Sequence, residues 1–254
     1  ELSMTNHSIY TPERAMAIFA HPDDIEFSCA GTLARWSQNG CVISYVLVTS
    51  GDVGIAKEGM TREQAIEIRE AEQREAASIV GAEEVIFLRQ PDGMVEASIK
   101  LRKRLVREIR RFKPEVVITG DPTFLFGRDT YINHPDHRAT ATVALDAVFP
   151  AAGQPNLFEE LEQEGLTAHK TRKVYVNTWA QEGVSFVNIS ETIGTKLSAL
   201  RAHRSQFDGW DPEERVKEWA AELAKGKEMD FAEAFRVITL ETDEYWNENK
   251  GRIF

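Results

Sequence analysis

The sequence predicts an α/β fold, a Rossmann-like three-layer sandwich with a mainly parallel sheet, helices on both faces and a C-terminal helical region. Three observations support this. Short apolar or β-branched runs alternate with segments of helical periodicity through most of the chain. Glycine and proline fall between those runs, where turns belong. The polar clusters all fall at carboxyl ends of predicted strands, the rim where open parallel sheets bind ligands. The chain reads as one domain over 1–254, with a core of about 16–189 and a helical region of about 190–254.

Residues 16–20 are too short and too continuously apolar for an amphipathic helix, so they read as a buried strand ending at His21. Asp23 or Asp24 is placed to cap a helix over 25–38, with Ile25, Cys29, Leu33 and Trp36 inward and Asn39-Gly40 as its stop. Residues 42–49 form a second strand, followed by the turn Ser50-Gly51-Asp52. A helix over 61–80 carries Ala65, Ile68, Ala76, Ile79 and Val80 at helical spacing and ends at Gly81. Residues 85–88 are a strand, Pro91-Asp92-Gly93 a turn, and 98–112 a basic amphipathic helix with Ile99, Leu105, Val106 and Ile109 inward. The five arginines and two lysines of that helix read as a solvated face neutralised by acidic neighbours, in preference to a phosphate site. Lys113-Pro114 breaks it, and strand 116–119 runs into a loop over 120–133. His134 opens another helix, with Pro135 in its first turn and an apolar body over 139–149. Strands are expected at 174–179 and 184–189, helices at 195–204, 213–225 and 231–236, and a short β-like piece at 237–240.

At 254 residues the chain can bury a large core without staples. Its net charge of −11 repels polyanions and excludes nucleic acid as the main partner. No apolar run approaches a membrane span, so no membrane partner is expected. Cys29 and Cys41 form no CxxC pair, suit buried positions better than metal ligation, and fit a cytoplasmic protein. No GxGxxG follows the first strand, which speaks against dinucleotide binding.

His21-Pro22-Asp23-Asp24 and His134-Pro135-Asp136-His137 each concentrate imidazole and carboxylate at a strand-end turn or helix start. Alone, either reads as a helix cap with a solvent-facing histidine. Together on one rim they supply two imidazoles and a carboxylate for a catalytic zinc with an open position for water. The surplus groups are then free to act as base, acid or histidine-orienting partner.

AHPDD after the first strand, Thr49-Ser50-Gly51-Asp52 after the second, Arg69-x-x-Glu72-x-x-x-Ala76-Ala77-x-x-x-Gly81, Pro91-Asp92-Gly93, HPDHRA and the late His203-Arg204-Ser205-Gln206 make the chain resemble the LmbE-like, PIG-L family of zinc-dependent N-deacetylases over about residues 16–240. The resemblance implies zinc, or another divalent metal such as Fe2+, held by His21, Asp24 and His137. It implies Asp23 as general base, a protonated His134 stabilising the oxyanion or serving the leaving amine, and Asp136 steadying the His134 ring. Arg69, Asp92 and Asp52 match positions that contact sugar hydroxyls. The implied activity removes an N-acetyl group from an N-acetylglucosamine-type aminosugar or its conjugate, releasing acetate and a free amine, in a homo-oligomer, trimer or hexamer. Other readings are an amidase for a larger acyl group on a sugar or thiol conjugate, and a non-catalytic sugar-binding module. Arg128 and Asp129 are candidates for the mouth of the site. The family's assisting tyrosine position holds Ile132 here, with Tyr131 beside it. Trp179 and Trp210 are expected in the core, and His203 as a surface or packing residue and no fourth ligand.

Overall fold

The computed structural model describes residues 10–127, 129–178, 183–207 and 209–249. Its sheet comprises β1 (Arg14–Phe19), β2 (Val42–Thr49), β3 (Glu84–Gln90), β4 (Val116–Gly120), β7 (Lys173–Asn177), β8 (Ser185–Asn188) and β9 (Ala232–Thr239), while β5 (Phe126–Gly127) and β6 (Tyr131–Ile132) pair as a small hairpin. The order is β3-β2-β1-β4-β7-β9-β8; the first five strands are parallel, and β9 runs antiparallel to both β7 and β8. The helices are α1 (Asp24–Ser28), α2 (Ala30–Gln38), α3 (Arg62–Val80), α4 (Ile99–Phe112), α5 (Pro135–Val148), α6 (Glu159–Gln163), α7 (Ile193–Ala202), α8 (Glu213–Ala224) and α9 (Asp243–Asn249).

The period-2 alternation of the central strands builds the three layers. Ala15, Ala17 and Phe19 of β1, with Ile43, Tyr45 and Leu47 of β2, face Leu33 and Trp36 of α2, Ala76 of α3 and Leu200 of α7. Met16, Ile18, Val46 and Val48 face the other way, onto Leu105 and Ile109 of α4 and Val143 and Ala147 of α5. The chain steps outward from β1 to β3 and then returns to place β4 on the other side of β1, so the β1/β4 border is the topological switch point.

The long helix expected over 25–38 is broken at Cys29, whose φ of −150° leaves the helical region. A buried ion pair completes both ends at the break. Glu233 on β9 accepts from the backbone N–H groups of Gly31 (3.0 Å) and Thr32 (2.8 Å) at the start of α2. Lys196 of α7 lies 2.6 Å from Glu233 and donates to the Phe27 carbonyl at the end of α1. The opposite charges thus sit where the two helix dipoles favour them.

Residues 232–236, within the segment 231–236 expected as a helix, belong to β9, which fills the gap between β7 and β8, so the C-terminal region is not wholly helical. The alanines and glutamate favour a helix locally, but sheet pairing and the burial of Ala232, Ala234 and Phe235 override that propensity. On α4, Leu101 takes the inward place expected for Ile99, which is 71% exposed; Leu101, Leu105 and Ile109 lie four residues apart on one face. Ile79 likewise faces outward. The helix over 61–80 otherwise forms as expected, with a reciprocal capping box between Thr61 and Gln64 and Gly81 at φ 91°.

The basic face of α4 is neutralised within the chain. Arg102 pairs with Asp146, Lys103 with Glu160, Arg107 with Glu164, and Arg111 with Glu84 and Glu108. Arg110 is buried, with its guanidinium on the carbonyls of Ala151, Ala152, Gln154 and Leu157 and 3.5 Å from Glu162 Oε1. Trp210 is not in the core but half exposed against Phe207. Trp179 and Arg128 lie outside the described residues. Among the described residues no helix is long and apolar enough to cross a membrane.

Replacing Glu233 with alanine strands the buried Lys196 ammonium and uncaps α2. The expected loss is about 3–5 kcal/mol, read as a lower urea midpoint at unchanged m-value; an unshifted midpoint contradicts the stitching role.

Candidate metal centre and active site

Parallel pairing of β1 with β4 raises the two histidine clusters on the same side of the sheet. His21, Asp23 and Asp24 follow β1, and His134, Asp136 and His137 lie in the first turn of α5 after the loop that leaves β4. The rings of His21, His134 and His137 have centroids 4.8–5.3 Å apart.

Two His/Asp groups bring their donor atoms within 4.8 Å of one another, one of His21 with His134 and His137 and one of His21 with Asp92 and Asp136. They lie on opposite nitrogens of His21. Nε2 faces Asp92 Oδ1 at 3.1 Å and Asp136 Oδ2 at 3.2 Å. Asp136 Oδ2 also accepts from Gly93 N, its Oδ1 accepts from Val95 N, and Asp92 Oδ2 accepts from Val53 N. Carboxylates so engaged with backbone N–H groups suit an outer shell that orients a ligand histidine.

The Nδ1 side is different. His21 Nδ1 lies 3.2 Å from His137 Nε2 and 3.4 Å from Asp24 Oδ2, and His137 Nε2 lies 3.1 Å from Asp24 Oδ1. Tetrahedral ligands about 2.0–2.2 Å from a cation stand about 3.3–3.6 Å apart, and these contacts of 3.1–3.4 Å, with Asp24 reaching the two rings through different oxygens, lie close to that spacing. The outer nitrogens preset the tautomers: His21 Nε2–H points at carboxylates, and His137 Nδ1–H donates to Asn133 Oδ1 at 3.1 Å. In the neutral, metal-binding form of each ring the lone pair is thereby aimed inward. Asn133 is itself pinned, donating through Nδ2 to Phe124 O and accepting on its carbonyl from Arg138.

His134 is set up for another job. Its Nδ1 accepts from Asp136 N at 3.2 Å, so a neutral ring carries its proton on Nε2 as a donor. Burial, reinforced by the charge of His21, lowers its pKa, favouring the neutral form over the protonated ring expected from the sequence. The side chain of Asp136 steadies His21, not His134 as expected, and it is fully buried.

Asp23 sits beside the donor cluster with its backbone at φ 91°. A left-handed non-glycine residue costs on the order of 1–3 kcal/mol and persists only where surroundings enforce it. Neither Asp23 nor Asp24 caps α1 through its side chain: Asp23 Oδ2 meets Arg69 Nη2 at 3.2 Å, and Asp24 Oδ2 accepts from His21 N at 2.8 Å. Burial raises Asp23 to about 6, with Arg69 opposing and Asp24 assisting the shift. For Asp24, burial opposes ionisation, but His137 and His21 hold its carboxyl well below the ordinary carboxylate range. Burial also opposes charge on His21, yet Asp136, Asp24 and Asp92 push it up to about 12.

The three residues expected to touch sugar hydroxyls face inward. Arg69 is 4% exposed, with Nη2 on Pro22 O at 2.6 Å and the guanidinium packed against the Gly51–Gly54 turn. A Cβ on Gly51, at φ 65°, would lie 2.5 Å from Arg69 Nη1, so only glycine fits there. Asp92 supports His21, and Asp52 accepts from Asp92 N and lies 3.5 Å from Arg62. Asp129, Tyr131 and Ile132 line a hollow of about 520 Å³ on the hairpin loop, and the Tyr131 hydroxyl lies 3.5 Å from Asn133 Oδ1.

Sequence reasoning missed Asn133, Glu26 and Gln73. Asn133 stands four residues before His137, a helical spacing that offered a clue. His203, expected as a surface or packing residue, is fully buried with Nε2 3.1 Å from Glu26 Oε2.

The family model described as PIG-L: GlcNAc-PI de-N-acetylase matches residues 16–148, a span that contains every donor described above. The chain belongs to the PIG-L family. It is 29% identical to the diacetylchitobiose deacetylase of Thermococcus kodakarensis, over 78% of this chain and 73% of that protein. It is 31% identical to a 1D-myo-inositol 2-acetamido-2-deoxy-alpha-D-glucopyranoside deacetylase of Saccharomonospora viridis, over 75% of this chain and 84% of that protein. The solved structure of N,N'-diacetylchitobiose deacetylase from Pyrococcus horikoshii matches with a TM-score of 0.83 at 26% identity, covering 92% of this chain and 86% of that one. All three of these relatives are named deacetylases, and the His/Asp group on the switch-point rim is where this chain can hold a metal.

Replacing Asn133 with alanine frees the His137 ring. Divalent-metal affinity is expected to fall about 10–100-fold, measured by chelator competition; an unchanged affinity places His137 outside the donor set.

Proposed function

We propose that this chain is a metal-dependent hydrolase that removes the N-acetyl group from an N-acetylglucosamine-type aminosugar or its conjugate. The observation that carries the reading is the convergence of inward-facing donors on His21, Asp24 and His137, flanked by a carboxylate on Asp23 and an N–H on His134. The names of the relatives, deacetylases of diacetylchitobiose and of an acetamido-glucopyranoside, support the substrate class.

We assign His21, Asp24 and His137 to the metal. Two imidazoles and a carboxylate suit zinc, with Fe2+ as the alternative. A bound divalent ion supplies a Lewis acid and lowers the pKa of water toward 7. Asp23, raised to about 6, is a carboxylate at neutral pH and basic enough to take a proton from water as its oxygen attacks the acetamide carbon. The Nε2–H of neutral His134 donates to the carbonyl oxygen as it becomes an oxyanion. Asp23 then returns its proton to the nitrogen, the C–N bond breaks, and acetate and the free amine result. Asp136 and Asp92 keep the His21 ring in place, and Arg69 holds Asp23. Asp52 braces the Asp92 turn at the edge of the sugar side.

The buried free thiols of Cys29 and Cys41 fit a cytoplasmic enzyme. Assembly into a trimer or hexamer is part of the same reading, and light scattering on the purified chain tests it.

With zinc-reconstituted protein, N,N'-diacetylchitobiose and N-acetylglucosamine conjugates should release amine and acetate; a chain that binds stoichiometric metal yet cleaves none of them is not an aminosugar deacetylase. Asp23→Asn should keep the metal and lose about 10²–10⁴-fold in kcat, whereas His21→Ala should lose the metal itself, by elemental analysis. Near-full turnover in Asp23→Asn would remove it as the base.

A further inference from the structure

We propose that Gln73, Glu26 and His203 form a positioning network that holds the Pro22–Asp23 peptide in its left-handed setting and so aims the Asp23 carboxylate. The inference rests on the reading of Asp23 as the base, and it starts from the one peptide unit between Pro22 and Asp23. Its carbonyl oxygen accepts from Arg69 Nη2 at 2.6 Å, and its N–H donates to Gln73 Oε1 at 3.0 Å. Arg69 and Gln73 stand four residues apart on α3, so one helix face grips both ends of the peptide. The Asp23 carbonyl in turn accepts from Phe27 N at 3.1 Å. A residue at φ 91° needs such enforcement, because an L side chain gains nothing from that conformation by itself.

A glutamine amide can turn over, exchanging its oxygen for its nitrogen, and a turned Gln73 would present N–H to N–H. Glu26 prevents this. Its Oε1 accepts from Gln73 Nε2 at 2.9 Å, which leaves only the amide oxygen for Asp23. Its Oε2 faces His203 Nε2 at 3.1 Å. Glu26, Gln73 and His203 are each fully buried, so solvent supplies none of these partners. The His203 segment is itself docked on α3: Glu72 accepts from both the N–H and the hydroxyl of Ser205, at 2.8 and 2.7 Å, and Arg204 pairs with Glu75. Glu72 of the Arg69-x-x-Glu72 motif and the His203-Arg204-Ser205 motif, to which the catalytic reading gives no part, thus meet behind the base.

The consequence is a separation of neighbours. Asp23 and Asp24 are consecutive, yet Asp24 turns to His21 and His137 while Asp23 turns to Arg69. The left-handed step at Asp23 lets one carboxylate serve as ligand while the other, held by Arg69, stays off the donor set.

The test uses Gln73→Met, Glu26→Met and the conservative Glu26→Gln, whose amide still accepts from Gln73 Nε2. Exchange of the Asp23 amide, read by NMR on metal-free protein, should accelerate at least tenfold in Gln73→Met and Glu26→Met, and Glu26→Gln should restore most of the protection. With zinc bound and N,N'-diacetylchitobiose as probe, the two methionine variants should lose about 10–100-fold in kcat at unchanged KM and metal content, and the double variant should lose no more than either single. Unchanged Asp23 exchange in Gln73→Met, equal loss in Glu26→Gln and Glu26→Met, or additive losses in the double variant would each overturn the network. If Glu26→Met does not fold, Gln73→Met and Glu26→Gln decide the matter. A wild-type chain inactive on the probe counts against the proposed substrate and leaves the amide-exchange result to decide the network.

Discussion

The hydrogen-bonded pairing of β1 with β4 is the constraint on which the site depends. These strands carry the two histidine clusters at their carboxyl ends, and they become neighbours only because the chain, after reaching β3 at one edge, returns to the far side of β1. Parallel orientation then puts both loops on one rim. The strand ends are tied at defined heights: Thr119 Oγ1 donates to Ile18 O, and Thr49 Oγ1 donates to Ala20 O, at 2.9 and 3.0 Å. A slip of one residue in either strand would turn its core side chains to the opposite layer, so the cost of losing the core also protects the alignment of the site.

Around that alignment the chain buries several charged side chains, and the carboxylates among them that shape the site have partners. Asp136 is fully buried, but two backbone N–H groups and His21 satisfy it. Glu26 is equally buried and rests on Gln73 and His203. A buried carboxylate without such partners would lose more in desolvation than packing returns. The pairing also gives direction. Because Asp92 and Asp136 take one nitrogen of His21 and Asn133 takes one nitrogen of His137, the remaining nitrogens face each other and Asp24. The second layer of polar contacts therefore decides what the first layer can do.

The C-terminal third supports the site from behind. Glu233 and Lys196 close the gap between α1 and α2, which fixes the short helix that Asp24 begins. His203, at the end of α7, reaches the same short helix through Glu26. Its described residues join neither His/Asp donor group, yet they hold the short helix that follows the AHPDD turn.

Residue types in the sequence pointed to the candidate chemistry and its rim. Residue type and spacing within HPDD and HPDH are local properties, and strand-end placement follows from period-2 runs, so the layered fold and the switch-point cluster were legible in the residue pattern. Local pattern could not assign partners between elements. The family resemblance set Asp136 against His134, two residues away, when its carboxylate reaches His21 on another loop; local pattern read 231–236 as helical because alanine and glutamate favour helices, when pairing with β7 and β8 claimed residues 232–236. Gln73, Glu26 and Asn133 carry no signal as single polar residues, and their roles arise from burial and from hydrogen bonds spanning 4–177 positions in sequence. Tertiary structure decided these points because a buried polar group must find its partner wherever the fold presents one, and proximity in sequence has no part in that requirement.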